Sequence, residues 1–395
     1  MSERGGVAGA VAPGFERVAQ AFDRIIADRP RAGAAVAIRL NGEPVVDLWG
    51  GLADGPGGRQ WQADTPSVIF SGTKGVMAIL AAQLVEKGML DYESPVADYW
   101  PEFAQNGKAH VRISDILSHR AGLPTLAEDL SPEDIQDWEL VTSRLAAEQP
   151  LWEPGTAHAY HPITHGWLIG EVLRRITGLG PGDLLTRELT EPLSVEAWIG
   201  VPESVRARVA YLTMEPPTPE LVRSFEEARP GPAPSWVQRT ATLGGALPPA
   251  LIGETSGFND PAIRAAQIPG AGGIATAPAM AAIWSSTVVA TNGFRSLEDS
   301  TRARATLVQS EGPSVDAAPP PYARWAMGFQ LDSPARRYLT ASSFGHDGAG
   351  GQVMFADPGL KVGFAFLTNL MLPLGDARAT SLIDALRACL DENPR

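Results

Sequence analysis

The sequence predicts an α+β fold of the α/β sandwich kind: one antiparallel sheet built from both ends of the chain, flanked by helices, with a mostly helical domain inserted between its halves. Three observations predict it. Two strand-like runs near the start, residues 34–40 and 44–49, are joined by Asn41-Gly42, a pair suited to a two-residue hairpin turn that needs positive φ at both positions. A second pair, residues 351–356 and 361–368, is joined by Asp357-Pro358-Gly359. Between the two hairpins the apolar residues recur at helical spacing.

The elements follow in order. Residues 1–13 are small and rich in glycine and alanine, which predicts a flexible tail. Phe15, Val18, Phe22, Ile25 and Ile26 share one helical face and predict a helix over 15–27. After the first hairpin, residues 62–70 lead into Ser71. Val76, Ile79, Leu80, Leu84 and Val85 predict a helix over 75–87, which Gly88 ends. From about 91 to 199 the pattern is helical pieces broken by loops; the clearest helices are 113–117 and 167–176, the second stopped by Gly178. Residues 214–250 carry Pro216-Pro217 and Pro248-Pro249 and read as an excursion over the surface or over a site, not as a core element. A last helix is expected over 378–390. These readings assign residues 14–90 and 285–395 to the sheet-bearing domain and 91–284 to the helical one.

Composition narrows the function. The 395 residues are 44% hydrophobic and 19% charged, the balance of a globular chain with a sizeable core. A net charge of −13 argues against nucleic acid and anionic membrane as partners, because both need basic patches. Cys389 is the single cysteine, so no intrachain disulfide forms, and its apolar helical setting predicts an inert buried thiol. Residues 1–14 lack a basic stretch followed by an apolar run and do not read as a signal peptide. No stretch reaches the roughly 18 apolar residues of a membrane span. A cytoplasmic location is expected.

The chemistry-bearing feature is Ser71-Gly72-Thr73-Lys74. Only four lysines occur, at 74, 87, 108 and 361, and only Lys74 has a serine three residues before it. At that spacing on a helix the hydroxyl and amine share a face, and an uncharged amine can take the hydroxyl proton to make a nucleophile. Lys74 reads either as a solvated helix residue or as such a base, with its pKa depressed by burial or nearby positive charge. In Pro154-Gly155-Thr156-Ala157-His158-Ala159-Tyr160-His161-Pro162, Tyr160 reads either as a packing residue or as an acid or base whose phenol loses its proton more easily beside a cationic lysine. In Phe344-Gly345-His346-Asp347-Gly348-Ala349-Gly350-Gly351 the glycines suit either a bulged strand or a strand edge that presents the Ala349 N–H to an oxyanion, with His346 lining the pocket. His346 and Asp347 do not make a triad pair, because strand neighbours point to opposite faces. His161 and His165 have helical spacing, but no H-E-x-x-H occurs, and no metal or other cofactor is expected.

Taken together, Ser71-x-x-Lys74, Tyr160 and His346-x-Gly348, in this order, resemble the serine β-lactamase and penicillin-binding-protein superfamily, and within it the class C β-lactamase-like esterases known as family VIII carboxylesterases. The stretches Ile113-Ser114-Asp115-Ile116-Leu117-Ser118-His119, Ala121-Gly122-Leu123 and Pro269-Gly270-Ala271-Gly272-Gly273 also look like family sequence, and the likeness runs from about residue 15 to 390. The resemblance implies the β-lactamase/transpeptidase-like fold, with the site in the cleft between sheet and helical domain. It implies Ser71 as acylated nucleophile, Lys74 as its proton shuttle, Tyr160 as general base in one half-reaction and acid in the other, and the N–H groups of Ser71 and Ala349 as oxyanion hole. It implies a small-molecule ester substrate hydrolysed through an acyl-enzyme. Acyl transfer, weak β-lactamase or D-amino peptidase action on the same machinery, and a non-catalytic scaffold, stand as alternatives. Two departures favour esters over β-lactams. Tyr160 is followed by His161-Pro162 in place of Ser-Asn, and His346-Asp347-Gly348 replaces Lys-Thr-Gly, so that His346 is at best a partial substitute for a fixed cation.

Overall fold

A computed structural model describes residues 6–229, 231–372 and 374–392. In chain order its main elements are strand β1 (Val7–Val11), helix α1 (Glu16–Asp28), strands β2 (Gly33–Leu40), β3 (Glu43–Asp54) and β4 (Ser67–Phe70), and helices α2 (Gly72–Glu86), α3 (Ile113–Leu117), α4 (Trp138–Ala147) and α5 (Thr164–Thr177). Strands β5 (Ala197–Ile199) and β6 (Gly273–Ala275) and helix α6 (Ala277–Ser286) follow. The chain ends with β7 (Arg324–Trp325), β8 (Gln330–Leu331), β9 (Phe344–Gly348), β10 (Gln352–Asp357), β11 (Val362–Thr368) and α7 (Arg378–Glu392).

The main sheet runs β1-β3-β2-β11-β10-β9-β8-β7, with the short strand Arg59–Gln60 added to β3, and its pairings are antiparallel. Its centre is the junction of the two hairpins, where β2 pairs with β11 from Ala34↔Thr368 to Leu40↔Val362. Both strands are buried on both faces, and the faces differ in side-chain size. Val36, Ile38, Phe364 and Phe366 pack with Val18, Phe22, Leu382 and Leu386 of α1 and α7. Ala35, Ala37, Ala365 and Leu367 face the core formed by α2 and α6. Large residues on one face and mostly small ones on the other let helices cover both sides, which is the sandwich predicted. The turn at Asn41-Gly42 has φ of 54° and 87°, the positive pair that the sequence anticipated.

The expected flexible tail is overturned over residues 7–11. They form β1, which pairs with β3 from Val7↔Gly50 to Val11↔Val46. The small residues that suggested fraying are what lets the strand come so close: a Cβ on Gly9, at φ +127°, would lie 2.0 Å from the Asp47 carbonyl oxygen. Residues 1–5 lie outside the described residues. The segment expected to be mostly helical also holds three short strands: Thr213–Met214, which pairs with Leu370–Met371, and β5 and β6, which form a separate three-stranded sheet with β4 in the order β4-β6-β5. Among the described residues of 214–250 an α-helix, Pro219–Glu227, capped by the Thr218 hydroxyl, and a 3₁₀ turn, Ser235–Arg239, do form, but neither buries a residue. Among the described residues no helix is long and apolar enough to cross a membrane.

Candidate active site

Ser71 stands at the junction of β4 and α2. Phe70, just before it, takes φ +44°, a left-handed conformation unfavourable for a bulky residue. Thr73 holds this turn: its hydroxyl donates to the Phe70 carbonyl (2.6 Å) and accepts the Gly273 N–H (2.8 Å) from β6. Ser71 remains partly exposed, whereas α2 is buried from Gly72 to Leu84. The first turn therefore delivers a reachable hydroxyl above an inaccessible amine.

Lys74 has no measurable exposure. Its Nζ lies 3.0 Å from Ser71 Oγ and donates to the carbonyls of Pro162 (2.5 Å) and Gly270 (2.6 Å). Close packing brings those carbonyls in; a Cβ on Gly270 would sit 2.2 Å from the Ile163 carbonyl oxygen. Burial holds the Lys74 amine well below the ordinary lysine range.

Tyr160 sits over this pair. Nζ of Lys74 is 5.0 Å from its ring centre. The expectation that a cationic Lys74 would loosen the phenol proton is not met: burial pushes the Tyr160 phenol above its usual range, and the nearby Ser71 hydroxyl only partly opposes this. Trp325 stacks on Tyr160 (5.1 Å between ring centres, 18° between planes). Trp152 meets His161 edge-on at 5.9 Å and lies 6.0 Å from Trp236. The proline-rich segment thus reaches the site through Trp236, and with Trp152, Tyr160 and Trp325 it makes a partly exposed aromatic wall.

His346 and Asp347 diverge as strand alternation requires. Asp347 is held by Arg336 and by the Tyr338 hydroxyl (3.0 Å). His346 turns toward Tyr160 and Trp325, with ring centres 6.2 and 5.5 Å away. It is only 2% exposed, so it lies beneath the aromatic wall instead of lining an open pocket. Its Nδ1–H donates to the Asp347 carbonyl (2.8 Å), and burial, helped by nearby Lys74, brings its pKa down to about 3. At neutral pH His346 is uncharged and is no substitute for a fixed cation. Gly348 ends β9 and Ala349 follows it, beside β4: a Cβ on Gly348 would lie 2.3 Å from the Ile69 carbonyl oxygen, and the Gln352 amide donates to the Val68 carbonyl.

The structure therefore gathers Ser71, Lys74, Tyr160 and His346 at one place and brings the end of β9 alongside β4. Sequence reasoning missed Thr73, the carbonyls of Pro162 and Gly270, His119 and Trp236. His119 and Gly270 lay in stretches singled out as family-like, but without a role. No group of three or more His, Cys, Asp or Glu suited to a metal ion occurs among the described residues.

Comparison with known proteins identifies the family. The family model described as Beta-lactamase matches residues 18–388. The Esterase/beta-lactamase LipL of Mycobacterium tuberculosis is 33% identical over 376 residues, covering 93% of this chain and 83% of that protein. A family VIII carboxylesterase structure matches with a TM-score of 0.85 at 32% identity, covering 97% of this chain and all of that one. A penicillin-binding-protein homologue from Caulobacter crescentus matches equally well, with a TM-score of 0.85 at 35% identity and the same coverage. Family model, relatives and fold converge, and the chain belongs to the beta-lactamase family.

Proposed function

We propose that this protein is a serine carboxylesterase that hydrolyses small to medium esters with uncharged acyl groups through an acyl-enzyme on Ser71. The observation that carries the reading is the coordination of Lys74. A neutral amine has two N–H donors and one lone pair. The Pro162 and Gly270 carbonyls take the two donors, which leaves the lone pair for Ser71 Oγ at 3.0 Å. Burial supplies the neutral form that this arrangement needs.

The coordination of Lys74 supports the following reaction. Ser71 Oγ attacks the ester carbonyl carbon as its proton passes to Lys74 Nζ. The N–H groups of Ser71 and Ala349 hold the developing oxyanion. Tyr160 is protonated at rest, so it gives its proton to the departing alkoxide as the carbonyl–oxygen bond breaks. The phenolate that remains faces a Lys74 that is now cationic. In the second half, Tyr160 takes a proton from water, the water oxygen attacks the acyl carbon, and Ser71 Oγ leaves with the proton returned from Lys74. One ester and one water give one alcohol and one acid.

The walls support this substrate class. Trp152, Trp236 and Trp325 offer apolar ring surface, and the neutral His346 offers no charge to a carboxylate. The relative LipL carries β-lactamase in its name, so slow β-lactam hydrolysis is the second reading; a missing counter-cation makes it the lesser activity. The test is turnover of p-nitrophenyl acetate and butyrate by wild type and Ser71→Ala, with nitrocefin alongside. We expect ester turnover that Ser71→Ala abolishes, and nitrocefin hydrolysis far slower than ester hydrolysis. Absence of ester turnover in wild type overturns the function, and turnover retained in Ser71→Ala overturns the nucleophile.

A further inference from the structure

His119 follows α3, fully buried, with φ +64°. Its backbone carbonyl accepts the Ala159 N–H (3.2 Å), and its Nδ1 accepts the His161 N–H (3.3 Å). One residue thus holds the N–H groups of both neighbours of Tyr160. Its ring meets Tyr160 edge-on (4.7 Å, 62°) and Trp325 edge-on (4.8 Å, 79°), while those two rings stack on each other. Because Nδ1 accepts, the ring proton sits on Nε2, which is buried and has no partner among the described residues. The next shell fixes the arrangement further: His161 Nδ1–H donates to the Ala159 carbonyl (2.6 Å), and its Nε2 accepts the Leu123 N–H (3.0 Å).

We propose that His119 is a positioning residue for the reaction: through its carbonyl and its Nδ1 it sets the height and tilt of the Tyr160 phenol over Ser71 and Lys74. The inference rests on the reading of Tyr160 as proton donor and acceptor. It also accounts for a bulky residue kept in the left-handed region, where strain is retained only if the surroundings demand that geometry. Burial keeps the imidazole neutral, its pKa well below the usual histidine range, so the grip does not loosen across the working pH range.

The proposal separates side chains that a general packing role would not. The Asn Oδ1 falls where the His Nδ1 lies, accepts a hydrogen bond, and Asn tolerates the left-handed region. Gln places its polar atoms further out, near the position of Nε2. The experiment compares kcat, KM and melting temperature for wild type, His119→Asn, His119→Gln, His119→Ala and Tyr160→Phe on p-nitrophenyl butyrate. We expect His119→Asn to stay within several-fold of wild type. Gln and Ala should lose about 100-fold in kcat, with KM little changed, as a misplaced reacting group does. The deciding comparison is Asn against Gln at matched melting temperature. Should a variant fail to fold, His119→Asn alone still decides: a 100-fold loss in folded His119→Asn overturns the proposal. Rescue by Gln but not by Asn overturns it as well, since Nε2 would then be the working atom. All three variants near wild type while Tyr160→Phe is inactive overturns the positioning role and leaves the mechanism standing. An unaffected Tyr160→Phe overturns the Tyr160 reading itself.

Discussion

Thr73 has no part in the proposed proton transfers, yet it ties the strained Phe70 turn to β6 with two hydrogen bonds. Removing its hydroxyl leaves a buried N–H and carbonyl unpaired, at about 1–3 kcal/mol. Thr73→Val should therefore lower the urea midpoint and slow the acylation burst; unchanged values for both would show that the turn holds without it. Tyr160→Phe should lower kcat by about 10²–10⁴-fold, the usual span for a positioned acid or base, in steady-state ester assays. At this scale the sequence was readable where identity and spacing meet, as in Ser71 and Lys74 one helical turn apart. Tyr160 was readable only from the order of the motifs. The partners of Lys74 were not readable at all. They are main-chain carbonyls of Pro162 and Gly270, and a carbonyl leaves no mark on residue type; only the glycines that permit close packing hinted at it.

Elements bring these residues to one point by backbone contact. The end of β9 runs beside β4, with Gly348 against the Ile69 carbonyl and Gln352 tied to Val68. Gly348→Ala should push the Ala349 N–H away from the reacting carbonyl. A lost oxyanion donor costs about 10²–10³-fold in kcat; kcat and KM measured together test this, and an unchanged kcat would argue against a role for this strand end. Both hairpins were legible because their turns are local: Asn41-Gly42 and Asp357-Pro358-Gly359 state their own geometry. Strand β1 was not, because what makes residues 7–11 a strand is the edge of β3 some forty residues away. The separate sheet β4-β6-β5 was missed for the same reason, since its three strands of four residues or fewer are far apart in sequence.

Across the whole molecule, the site's setting is a buried, uncharged interior. His119, His161, His165 and His346 are all buried, and burial lowers each pKa, to about 4 for His161 and about 3 for His346. Unfolding releases imidazoles that titrate near 6.5, so below that pH the unfolded chain binds protons that the folded chain refuses. Stability is then full above about pH 6.5 and falls as pH drops toward 4. Urea midpoints measured from pH 7.5 to 4.5 should decline over this window, with a shallower decline in His161→Asn; a flat profile would mean that the histidines are not held neutral. The α+β architecture itself was legible from the turn pairs that join strand-like runs at each end of the chain and from the helical spacing between them. The neutrality of the interior was not, because it depends on which distant side chains exclude water from one another.

The account rests on Ser71 being activated by an uncharged Lys74, and the most direct measurement is the rate of covalent labelling by an aryl phosphonate ester, followed by intact-protein mass spectrometry across pH. A single adduct on Ser71 is predicted, forming at a rate that rises with pH and levels off well below the ordinary lysine pKa, and labelling should be abolished at neutral pH in Lys74→Ala. Labelling of Lys74→Ala at the wild-type rate, or an adduct on any residue other than Ser71, would contradict it.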